Sequence, residues 1–239
     1  MKKLILAGIL LAVLNATPAI DDLMRNLQSN QQAIQSYSAT VITVVDGNYI
    51  PSKQTQVGYI YFQAPDFVRT DTQTPIVSTV TKGQKSWTID QQGNIQEIIP
   101  EQRALQDFQD IKNIFKEFTF TSSDVSKNEI KLIGVPKNNT SIFKHFSKIV
   151  LIIDPQQNIA KEIQIYNQQG VEIAKIITTY LTINSVNFPQ ETKTIITYGK
   201  NKLSITTTYK NIQLNQPLPS DTFELEHIKN VLQQGTAHA

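Results

Sequence analysis

The sequence predicts a mainly β protein with α: one large antiparallel sheet covered by helices. Three observations predict it. Short runs rich in Val, Ile, Thr and Tyr, with a period of two, fill most of the chain. Turn signals separate these runs so closely that neighbours form hairpins. Several runs carry one apolar and one Thr-rich face, as in a sheet covered on one side and wet on the other.

The elements follow in order. Lys2 and Lys3, an apolar run from Leu4 to Leu14 and the small residues Asn15–Ala19 have the three parts of a secretory signal peptide. Cleavage is expected after Ala19, with Ala16 as the alternative, so residues 1–19 are read as an address to the periplasm. Ile20–Tyr37 reads as a helix, with Leu23, Leu27, Ala33 and Ile34 near one stripe and Asp21 and Asp22 in the first turn, where carboxylates suit the helix dipole. Ser38–Asp46, Thr55–Gln63, Phe67–Thr72, Ile76–Lys82, Lys85–Asp90 and Ile95–Ile99 read as strands. Asp46-Gly47-Asn48, Ala64-Pro65-Asp66, Thr74-Pro75, Lys82-Gly83-Gln84 and Gln92-Gly93-Asn94 are the turns between them.

Pro100 opens a break, and Glu101–Glu117 reads as a second helix on the spacing of Leu105, Phe108, Ile111, Ile114, Phe115 and Phe118. Strands resume at Thr119–Ser122, Glu129–Gly134, Lys148–Asp154, Ile159–Asn167, Val171–Ile183, Lys193–Tyr198 and Lys202–Leu214. In Val171–Ile183 the alternation puts Ile173, Ile177 and Leu181 on one face. In Lys202–Tyr209 it opposes Leu203, Ile205 and Tyr209 to Ser204, Thr206 and Thr208. From Ser220 a short amphipathic stretch precedes a polar end. About eleven to thirteen strands and two helices result. No repeat or linker divides them, so residues 20–226 form one domain and 227–239 a tail. Two helices are too few to fill the inner side of so wide a sheet, which predicts a hydrophobic cavity under a helical lid.

Composition narrows the function. The chain has 239 residues, no Cys, three His and a formal net charge of +2. Without Cys there is no disulfide framework, zinc–thiolate site, thiol nucleophile or self-anchored lipoprotein. Without Lys2 and Lys3 the formal charge is zero, which gives no footprint for nucleic acid. No phosphate loop, nucleophile elbow or zinc-protease motif is present. His145, His227 and His238 lack placed partners, and Glu97 with Glu101 reads as a pair of surface carboxylates. The chain is therefore expected not to be an enzyme and to need no cofactor or metal. The aromatic residues Phe62, Trp87, Phe108, Phe115, Phe118 and Phe120 crowd the middle of the chain, as a plain core or as a lining for alkyl chains. Alkyl chains bind through area alone, at about 0.8 kcal/mol per methylene, and so leave no polar motif.

Several stretches resemble the outer-membrane lipoprotein carrier (LolA-like) family. They are Gly58–Arg69 with its Ala64-Pro65-Asp66-Phe67-Val68-Arg69, Val80–Asp90 around Gly83 and Trp87, Ile152–Asn158 with Glu162–Tyr166 and Gly170, and Tyr209–Asn215 followed by Asp221–Leu225. The resemblance spans roughly residues 20–226 and implies a half-open β-barrel of about 11 strands whose helices enclose a hydrophobic cavity for acyl chains. It implies a periplasmic carrier that accepts acylated lipoproteins from an inner-membrane ABC transporter complex and delivers them to an outer-membrane acceptor, acting as a monomer. Leu105, Phe108, Ile111, Ile114 and Phe115 are the lid candidates. Tyr61, Phe62, Trp87, Ile163, Ile177, Leu203 and Ile205 are the sheet-side lining. The carriers place a basic residue before the matching Pro65, where it tethers the lid; here Ala64 stands there. Arg69 matches an Arg of the relatives and reads as a structural strand residue. Two other readings use the same fold: a carrier of free lipid or glycolipid, and an envelope-stress sensor working by protein contact.

Overall fold

The computed structural model describes residues 20–98, 111–126, 128–137 and 145–234. Residues 1–19, read above as a signal peptide, residues 99–110 with Leu105 and Phe108 of the expected second helix, and the last five residues lie outside them. The described chain runs α1 (Ile20–Gln32), β1 (Ser36–Gly47), β2 (Gln54–Gln63), β3 (Phe67–Gln73), β4 (Ile76–Lys82), β5 (Lys85–Asp90), β6 (Ile95–Glu97), α2 (Ile111–Glu117), β7 (Phe118–Val125), β8 (Ile130–Pro136), β9 (Phe146–Asp154), β10 (Ile159–Asn167), β11 (Glu172–Ile183), β12 (Val186–Tyr198), β13 (Asn201–Leu214) and α3 (Leu225–Gln233).

The strands form one 13-stranded sheet in the order β6-β5-β4-β3-β2-β1-β13-β12-β11-β10-β9-β8-β7, every neighbouring pair antiparallel. Among the described residues β6 and β7 are the two unpaired edges. The expected class, mainly β with helices on an open antiparallel sheet, is what the chain adopts.

Local chemistry explains the hairpins. Gly83, Gly93, Gly170 and Gly199 sit at positive φ in the turns that precede β5, β6, β11 and β13. Asn184 and Ser185 do the same between β11 and β12. Strand β12 begins at Val186, seven residues before the expected start at Lys193. Pro189 argues against a strand in sequence, but the ladder to β11 shifts register at Thr179/Tyr180, and that irregularity accommodates it.

Side-chain alternation across the paired strands defines two faces, and each holds an apolar cluster. On the inner face, Leu23 and Leu27 of α1 and Ile114 and Phe115 of α2 pack on Phe118, Phe120, Ile130, Leu132, Ile149, Leu151, Ile153, Ile165 and Ile176. Gly134 lies on this face under the Phe120 ring; a Cβ there would come within 2.6 Å of Phe120 Cε1, so the close approach requires glycine. On the outer face, Ile228 and Leu232 of α3, with Phe223, pack on Val80 and Ile89. The amphipathic stretch read as part of a tail is thus a third helix. The expected boundary at residue 226 falls inside it, and Ile228 is fully buried.

Candidate functional site: the inner face of the sheet

The inner face can be followed strand by strand. Ile163 and Ile165 of β10 pair with Ile176 and Ala174 of β11, Ala174 with Ile196 of β12, Ile196 with Leu203 of β13, and Ile205 with Val45 of β1. Ala39 pairs with Ile60 and Tyr37 with Phe62 of β2. Cross-strand partners share a face, so all of these residues look the same way as the cluster under α1 and α2. Away from that cluster Ala39, Val41 and Phe188 are buried, whereas Val45, Ile60, Phe62, Ile196, Leu203 and Ile205 keep some exposure. Thr43, Thr70, Thr72, Thr79, Thr192, Thr194 and Thr207 are interleaved with them.

At one end of this face four aromatic side chains meet. Tyr37 stacks on Phe62 at 5.3 Å between centroids and meets the Phe188 ring edge-on at 4.9 Å; Phe188 in turn meets Tyr209 edge-on at 5.8 Å. Burial, with Tyr209 alongside, pushes the Tyr37 hydroxyl well above the usual phenol range, and burial raises Tyr209 too. Tyr180 is pushed up to about 12 by burial, and its hydroxyl donates to Ala160 O at 2.9 Å. These phenols stay neutral at ordinary pH, so the aromatic patch carries no charge. Among the described residues no three His, Asp or Glu side chains gather as a metal site. The chemistry on offer is area: a wide, neutral, apolar and hydroxyl-bearing surface.

The named residues separate by face. Ile114 and Phe115 are buried in the inner cluster and Ile163 packs on it. Phe62, Leu203 and Ile205 are on the inner face. Ile111 starts α2. Tyr61, Trp87 and Ile177 are on the outer face. Tyr61 packs on the α3 cluster, Trp87 pairs with Val80, and Ile177 pairs with Glu162 and Lys193. These three do not share a surface with the others. Adjacent residues of like size, Tyr61-Phe62 and Ile176-Ile177, leave the alternation ambiguous by one step, and a one-step shift exchanges the faces. Ile176, Phe188, Tyr37, Ile60 and Ile196 belong to the inner face and were missed. Ile60 was legible from its place two residues before Phe62.

Arg69 lies on the outer face in a buried polar group. Its Nε donates to Asp71 Oδ1 at 2.9 Å, its Nη2 lies 2.8 Å from Asp71 Oδ2, and its Nη1 donates to Thr222 O at 3.1 Å. Ser78 Oγ donates to Asp71 Oδ1 at 2.5 Å, and the guanidinium stacks 5.3 Å above the Tyr61 ring. The group ties the segment before α3 to β3, in keeping with the structural reading of Arg69. Ala64, in the place where the carriers have a basic residue, donates its backbone N–H to Gln35 O at 2.7 Å.

No protein-family model and no curated protein matches the sequence. Solved structures match the fold. An outer membrane lipoprotein-sorting protein domain from Vibrio parahaemolyticus superposes with a TM-score of 0.65 at 11% identity, covering 89% of this chain and 99% of that one. A DUF1329 family protein from Desulfovibrio piger gives 0.67 at 11% identity, with 88% and 99% covered. A LolA superfamily protein from Nitrosomonas europaea gives 0.64 at 11% identity, with 87% and 98% covered. At this identity the likeness is one of architecture, and the architecture of the chain is the LolA-like fold.

Proposed function

We propose that the protein is a periplasmic carrier of acyl chains, with the acyl groups of lipoproteins as cargo moving from the inner towards the outer membrane. The observation that carries this reading is the row of part-buried apolar side chains on the inner face, from Phe62 and Ile60 through Val45 and Ile205 to Leu203 and Ile196. A soluble sheet that leaves such a row incompletely covered has surface to offer a flexible hydrocarbon, and each methylene it receives contributes about 0.8 kcal/mol. The similarity of fold to a lipoprotein-sorting domain supports the choice of cargo. On this reading the helices over the inner face move aside as acyl chains replace their apolar contacts, with no covalent step. An inner-membrane ABC transporter complex loads the carrier and an outer-membrane acceptor unloads it.

Native mass spectrometry of protein purified gently from the cells that make it tests the cargo. Acylated peptide or lipoprotein is the expected bound mass; free phospholipid or glycolipid would replace lipoprotein by the lipid-carrier reading. Empty protein that also fails to take up a diacylated or triacylated peptide would overturn both. Ile205→Asp is expected to weaken uptake at least about tenfold, because a carboxylate on the inner face would be desolvated by the acyl chain. Ile177→Asp, on the outer face, is expected to leave uptake unchanged.

A further inference from the structure

Every large hydrophobic side chain that stands exposed among the described residues lies at one end of the sheet. They are Tyr49 (53% exposed), Ile95 (38%), Val135 (49%), Val171 (56%) and Tyr198 (82%). The strand directions place them together: β1, β8, β10 and β12 end here, and β2, β6, β9, β11 and β13 begin here. The turns at the opposite end, Ala64-Pro65-Asp66, Lys82–Lys85, Asp154–Asn158 and Asn184-Ser185, carry none of them.

Three of the five sit on neighbouring tips, because β2-β1-β13-β12-β11-β10 are consecutive in the sheet. Tyr49 is on the β1–β2 tip, Tyr198 on the β12–β13 tip and Val171 on the β10–β11 tip. Lys53 and Lys200 are in these tips and Lys202 is the second residue of β13, all exposed. Glu172, the first residue of β11, stands as far out as Lys202, and Asp46 pairs with Ser204 just behind it, so the lysines outnumber the acids at this end. The tips are built rather than loose. Asn48 Nδ2 donates to Lys200 O at 3.2 Å, and Asn48 Oδ1 accepts from Lys202 N at 2.9 Å, joining two tips. Asn167 Oδ1 accepts from Gln169 N at 3.0 Å and Val171 N at 2.9 Å, shaping the third.

We propose that this rim is a docking surface for an anionic phospholipid bilayer. Tyrosine has an apolar ring and a polar tip, the form that suits the headgroup boundary. Lysines beside it meet the negative surface, and their stems lie along apolar groups. Apolar residues carried singly on separate tips fit a fluid headgroup layer, which fills the gaps between them. A protein partner would need a continuous packed core to its interface. The proposal does not depend on what the inner face binds.

Vesicle flotation tests it, with the full chain throughout so that residues 1–19 contribute equally to every variant. Vesicles of phosphatidylcholine with phosphatidylglycerol are compared with phosphatidylcholine alone. Binding is expected to favour the anionic vesicles and to fall with salt. K53E/K200E/K202E is expected to lower it by about a hundredfold or more, at roughly fivefold for each lysine lost and more for each reversed charge. Y49S/Y198S is expected to lower it by about tenfold. K85E/K161E/K210E, the same change of charge away from the rim, is expected to bind better than K53E/K200E/K202E by at least about tenfold. Equal binding by the two lysine variants, or binding indifferent to lipid charge and salt, would overturn the proposal. Melting temperatures confirm that each variant is folded. Ile205→Asp should still float with the vesicles, so failure of the carrier reading and failure of the rim are read separately.

Discussion

Under α1 and α2 the sheet presents Leu132, Ile149, Leu151 and Ile153, all fully buried, and among the described residues no buried charge. Under α3 it presents Val80 and Ile89, but beside them Arg69, Asp71 and Ser78, which are buried too. The two faces therefore hold their helices by different physics. Apolar packing is proportional to area and tolerates small shifts of a helix. A buried ion pair has directional contacts to lose and leaves an uncompensated charge when one partner goes. The outer helix is registered on the sheet by Arg69 through Thr222 O, and Lys82 Nζ meets Glu224 at 3.0 Å just before α3. The inner helices pack through volume, the kind of contact that an acyl chain can replace.

The largest expected effect breaks the outer face. Arg69→Met keeps much of the side-chain volume but strips Asp71 of its guanidinium and leaves Thr222 O without its donor. A loss of about 3–5 kcal/mol in urea unfolding is expected. Native-state hydrogen exchange should show the amides of α3 opening first. If α3 stays as protected as the rest of the core, the ion pair is not what registers it.

The matching change on the inner face is Leu132→Ala. It removes a fully buried side chain with no polar consequence, and a loss of about 3 kcal/mol is expected, set by how far the cavity collapses. Here protection should fall across the strands around β8 and leave α3 unchanged. A smaller effect belongs to Ser78→Ala, which deletes one hydrogen bond to a buried carboxylate and should cost about 2 kcal/mol by urea unfolding.

How much of this was legible in sequence depends on the range of the signal. Turns depend on local chemistry, so Lys82-Gly83-Gln84 and Gln92-Gly93-Asn94 placed hairpins, and with them the antiparallel order. The face of a strand depends on one residue of register. Where two large apolar residues adjoin, as in Tyr61-Phe62 and Ile176-Ile177, the sequence is equally consistent with both faces. Pro189 hid seven residues of β12, because a bulge that accepts proline has no signature of its own. The third helix was read only as a short amphipathic stretch from Ser220, because a stretch this short can be placed only by the sheet it covers. The Arg69–Asp71 pair was open to reading, since residues two apart on a strand share a face; its burial was not, because that depends on a helix 150 residues later.

The contrast between the faces is sharpest in the double replacement Arg69→Met with Asp71→Leu. Either single change leaves a buried charge alone. Together they remove both charges and turn the outer face into a second apolar cluster, leaving Ser78 Oγ and Thr222 O to find other partners. The net change in stability is expected to lie within about 1 kcal/mol of the parent, because lost attraction and removed desolvation nearly cancel. The double variant should therefore be several kcal/mol more stable than the sum of the single changes, a coupling that a double-mutant cycle reads directly. If the stability returns while the amides of α3 exchange faster than in the parent, the ion pair contributes register rather than strength. If protection returns as well, packing of Phe223, Ile228 and Leu232 is sufficient to place the helix, and the two faces differ in composition but not in how firmly they hold what covers them.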